Sequence, residues 1–93
     1  MTYLLKDPDA VLDYSVDWGA EYLDGDLLAT SAWSVEPNEP GGLTVQASNL
    51  DATTTSVTAA GGIAGRLYRL VNSVVLQSGR VDSRSIVLRL EAR

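Results

Sequence analysis

Hydrophobic and polar residues alternate along most of this chain with a period of two, the pattern of strands with one buried face. The run "VLDYSVDW" at 11–18 places Leu12, Tyr14, Val16 and Trp18 on one face, with Asp13, Ser15 and Asp17 on the other. "LLATSAWSV" at 27–35 predicts a second strand, with Ala29, Ser31, Trp33 and Val35 aligned. "LTVQAS" aligns Leu43, Val45 and Ala47, and "TTTSVTAA" aligns Thr55, Val57 and Ala59. Turn-forming Gly, Pro, Asn and Asp separate these runs. Residues 66–77 and 80–90 then form a closing hairpin with Ser78-Gly79 at its tip. In its first strand Tyr68, Leu70, Asn72, Val74 and Leu76 share a face, and in its second Ile86, Leu88 and Leu90 do. The first of these strands also carries apolar residues on its opposite face, which predicts a central position in its sheet. No window shows sustained helical periodicity.

Six short strands in 93 residues predict one all-β domain spanning 1–93: an Ig-like antiparallel β-sandwich of six to seven strands. Pro8 suits the start of an edge strand. Tyr68 follows the glycine-rich "GGIAG" at 61–65, where such sandwiches place a corner tyrosine whose hydroxyl bonds back to the backbone. Trp18 and Trp33 are expected in the core.

Charge alters this picture through its distribution. Net charge is −5, which argues against binding a nucleic-acid backbone. Residues 1–51 hold ten acids against Lys6, and residues 52–93 hold six arginines against Asp82 and Glu91. The expected outcome is neutralisation between neighbouring strands. An alternative, an acidic and a basic pole, favours head-to-tail association into a homo-oligomer. Arg69 and Arg84 are expected to have part-buried stems and paired heads, and Arg89 to pair across strands with an acid. Arg69, Arg80 and Arg84, with Asp24 and Asp26 of the "DGD" turn, are the candidate interface residues.

Catalytic chemistry finds little to work with. The chain contains no Cys and no His, so thiolate chemistry and the usual neutral-pH base are missing. "GGIAG" is neither a dinucleotide fingerprint nor a P-loop. The "DPD" and "DGD" pairs supply too few oxygens for a calcium site unless they converge with Asp51. No catalytic group, metal or cofactor is expected. No apolar run is long enough to span a membrane. The first residues lack a signal-peptide pattern, so synthesis in a cytoplasm is expected.

The segments "KDPDAVLDYSVDW" (6–18), "GD" (25–26) before "SAW" (31–33), "GLTV" (42–45), "YRLVN" (68–72) and "SGRVDSRSIVLRL" (78–90) resemble a family of small phage and prophage Ig-like fibre–tail adaptor proteins. The loop "VEPNEPGG" at 35–42 is longer and more acidic than that family pattern. The resemblance implies a non-enzymatic virion component, made in the bacterial host cytoplasm, that joins tail, fibre or head–tail parts through contacts with other phage structural proteins. The alternative kept beside it is a small Ca²⁺- or carbohydrate-binding sandwich.

Overall fold

The computed structural model describes residues 3–20 and 25–92. Its seven strands are β1 (Tyr3–Lys6), β2 (Val11–Asp17), β3 (Leu28–Glu36), β4 (Leu43–Leu50), β5 (Thr54–Gly61), β6 (Leu67–Leu76) and β7 (Val81–Leu90). They form two sheets, β1-β7-β6-β3 and β2-β5-β4. This is an Ig-like β-sandwich, with β2-β5-β4 as one layer and β3-β6-β7 as the other.

The pattern along the chain explains the layers. Tyr68, Leu70, Asn72, Val74 and Leu76 of β6 are all buried, and the intervening residues face outward. β6 is paired on both sides, with β3 and β7, so it is central to its sheet. Its outer face is open, however, and Leu67 and Val75 lie exposed there. Opposite, Thr55, Val57 and Ala59 of β5 are buried.

Three departures from strict alternation refine the expected faces. An extra residue, Ala29, bulges between Leu28 and Thr30, so Leu28 takes the buried place and Ala29 is exposed. A second bulge, between Val45 and Ala47, turns Ala47 out of line with Leu43 and Val45. Trp18 leaves β2 and enters a short 3₁₀ turn, Trp18–Ala20, yet stays fully buried. Gly19 in that turn presses against Thr53, where a Cβ would come within 2.9 Å of the Thr53 side chain.

β1 was not visible in the sequence pattern. Its four residues pair parallel with β7, an exception in an otherwise antiparallel sandwich. Lys6 at its end is 1 % exposed. Its ammonium donates to the carbonyls of Asp7 (3.0 Å) and Gly61 (2.9 Å), tying β1 to β5 of the opposite sheet. Burial pulls the Lys6 pKa below its ordinary value, and the nearby Asp7 and Asp9 carboxylates oppose that shift.

A buried polar cluster crosses the sandwich. Trp18 Nε1 donates to Asn72 Oδ1 (2.9 Å) and to Thr55 Oγ1 (3.3 Å). The Thr55 hydroxyl donates to Asn72 Oδ1 (2.6 Å), and Asn72 Nδ2 donates to Ser31 Oγ (2.8 Å) and the Ala32 carbonyl (3.2 Å). Asn72 therefore fixes β3 to β6 and both to the opposite layer. Replacing a buried hub of this kind leaves several polar groups without partners. Asn72→Ala is expected to lower stability by about 2–4 kcal/mol, seen as a fall of roughly 10–20 °C in Tm by circular dichroism. Arg69→Ala on the exposed face is expected to change stability by less than about 0.5 kcal/mol.

Candidate interaction surfaces

The four described candidate interface residues, Asp26, Arg69, Arg80 and Arg84, lie on different parts of the sheet. Asp24 lies outside the described residues. Asp26 and Arg80 meet at the end of the β6–β7 hairpin, where Arg80 Nη2 stands 3.2 Å from Asp26 Oδ2. Asp26 also accepts from the Ser78 hydroxyl (2.5 Å) and the Leu27 N–H (2.9 Å), pinning the hairpin tip to the start of β3. These donors, Ser78 first, hold the Asp26 carboxyl below its ordinary pKa. Arg69 stands exposed on the outer face of its sheet, directly across from Glu36. Arg84 is on β7 opposite Asn72, and it too is exposed. The expectation of part-buried stems for Arg69 and Arg84 is therefore corrected. Arg69 lies where alternation leads out to solvent, whereas Arg84 shares the inward face of β7 with Ile86 and Leu88 but sits beyond the buried part of that strand.

Other arginines are engaged locally. Arg66 Nη1 is 3.4 Å from Glu39 Oε2, and Arg89 Nε is 3.0 Å from Glu91 Oε1, just past the end of β7 rather than across strands. Arg66–Glu39 and Arg80–Asp26 each join an arginine of the second half to an acid of the first, and the outer face of the β1-β7-β6-β3 sheet presents Arg69 and Arg89, with Glu36 opposite Arg69. By contrast, the β2-β5-β4 sheet carries Asp13 and Asp17 and no basic residue. Its outer face is flat and rich in hydroxyls, with a shallow hollow lined by Asp13, Ala47, Asn49, Ser56 and Thr58.

In the largely exposed loop at 36–42, Glu39 is turned inward. Glu39 Oε1 accepts from the Tyr68 hydroxyl (2.8 Å), which itself accepts from the Ile63 N–H (3.1 Å). This is the corner tyrosine expected from the sequence, bonded to backbone five residues upstream. Burial, and then the Glu39 hydrogen bond, push the Tyr68 pKa up. What sequence reasoning missed is that Glu39 serves this corner. An acid in a loop gave no sign of its partner 29 residues away.

Among the described residues no three acids group together as metal ligands. Trp18 and Tyr68 are buried, while Tyr14 and Trp33 pack against the core, so these rings do not line an exposed groove.

Comparison with known proteins places this geometry. The family described as podophage GP4 fiber-tail adaptor protein gp77 matches residues 6–89. The chain belongs to this phage fibre–tail adaptor family. No curated protein matches the sequence. Among solved structures, the PKD domain from KIAA 1837 protein, determined in solution, superposes with a TM-score of 0.57 at 15% identity. That alignment covers 98% of this chain and 79% of the other, and it supports the Ig-like fold alone.

Two outcomes test these side-chain roles. Tyr68→Phe is expected to cost about 1–2 kcal/mol, because the Ile63 N–H and Glu39 lose a buried partner; thermal melting measures it. The Asp26 carboxyl has a lowered pKa when folded, so its contribution is full above the unfolded value and is lost as pH falls through the folded one. Asp26→Asn is therefore expected to flatten the acid limb of the Tm-versus-pH curve and to leave the neutral-pH slope unchanged.

Proposed function

We propose that the chain is a non-enzymatic adaptor in a phage particle, joining fibre and tail components through protein–protein contacts. Its partners on this reading are other phage structural proteins, and it reaches the virion after synthesis in the host cytoplasm. The observation that carries the reading is family membership over residues 6–89, nearly the whole chain. The chemistry of the surface agrees with it. Asp26, Glu39, Arg66, Arg80 and Arg89 are engaged in contacts that hold turns and strand ends. Tyr14 has a pKa raised by burial and packs against the core, in keeping with a structural role.

The test is genetic. Phage lacking this gene are expected to make particles without stably attached fibres, seen by electron microscopy, and the wild-type gene supplied in trans restores them. Fibre-bearing, infectious particles assembled without the protein would overturn the reading.

A further inference from the structure

Four strands border the two sheets, and their edges are unequally guarded. An unpaired edge invites another strand, and proteins block it with short length, charge, proline or a bulge. β1 is four residues long. β2 carries Asp13 and Asp17. β4 is broken in mid-strand by its bulge at Gln46. The half of β7 that β1 leaves uncovered carries Asp82 and Arg84. β3 differs. Its bulge lies at Ala29, so Thr30–Glu36 runs in unbroken register with β6. From Leu28 to Val35 it holds no charge and no proline.

We propose that a second copy of this chain adds to β3, antiparallel about a two-fold axis, so that the β1-β7-β6-β3 sheet continues from one copy into the next. Charge selects this occupant. Two-fold pairing sets a strand against itself, and β3 carries no charge before its terminal Glu36. A register centred on Trp33 places Thr30 against Glu36, Ser31 against Val35, Ala32 against Ser34, and Trp33 against its counterpart. No like charges meet. The same operation on β2, centred on Ser15, sets Asp13 against Asp17 twice, which is destabilising. Trp33 and Val35 are only half-buried at the rim of the core. Pairing across β3 covers them further and brings two indole rings together.

This inference stands apart from the adaptor reading, because a monomer can still join two other proteins. Light-scattering mass is measured across protein concentration at low and at high salt. The expected result is a rise from one chain mass to two, with no growth beyond the dimer and no loss in high salt. Ala32 and Ser34 are exposed on the outer face, so A32K/S34K is expected to fold with wild-type Tm and to halve the mass. S34D provides the same test with a single change. A wild-type protein monomeric at every concentration overturns the proposal, as do variants that stay dimeric. Salt-sensitive growth into longer chains also overturns it, and points to charged poles instead.

Discussion

The fold depends on burying the Asn72 side chain at the middle of β6. Of its four inward neighbours on that strand face, Leu70, Val74 and Leu76 need only shape and cover, whereas Asn72 needs partners on every side. It finds them in Trp18, Thr55, Ser31 and the Ala32 carbonyl, which come from the first turn, the facing sheet and the neighbouring strand. An amide in a low-dielectric core is costly unless such bonds are made. Satisfying it therefore fixes the register of β3 on β6 and the position of the Trp18 turn together.

From that constraint the two ends of the sandwich follow. At one end, near the start of β6, the Tyr68 hydroxyl gathers the Ile63 N–H and Glu39, while Lys6 caps the carbonyls of Asp7 and Gly61. At the other, Asp26 holds the β6–β7 hairpin through Ser78 and Arg80. The polar groups at both ends close turns against strands. Gly62 shows how tight this packing is: with φ +106° it lies where a Cβ would come within 2.7 Å of Leu90.

Much of this was legible in the sequence. Period-two alternation located six of the seven strands to within about two residues, the usual uncertainty of strand ends. The corner role of Tyr68 was readable from its place after a glycine-rich turn. The missing parts have physical reasons. β1 is too short to show a period. Two bulges, at Ala29 and Gln46, shift the faces of β3 and β4 by one residue without changing composition. The arginines were expected to meet acids, and Arg66, Arg80 and Arg89 do, but their partners Glu39, Asp26 and Glu91 depend on how the chain folds back outside the strands. The surface proposed for association is backbone: the uncharged edge of β3.

The central claim is therefore that side-chain polarity serves the fold and that the β3 backbone serves association. Amide hydrogen exchange of the pure protein, followed residue by residue as concentration rises, tests it most directly. The account predicts added protection confined to residues 30–35, with β2 amides unchanged. Protection that instead appears along Val11–Asp17, or spreads over the outer face around Arg69 and Arg89, would contradict it.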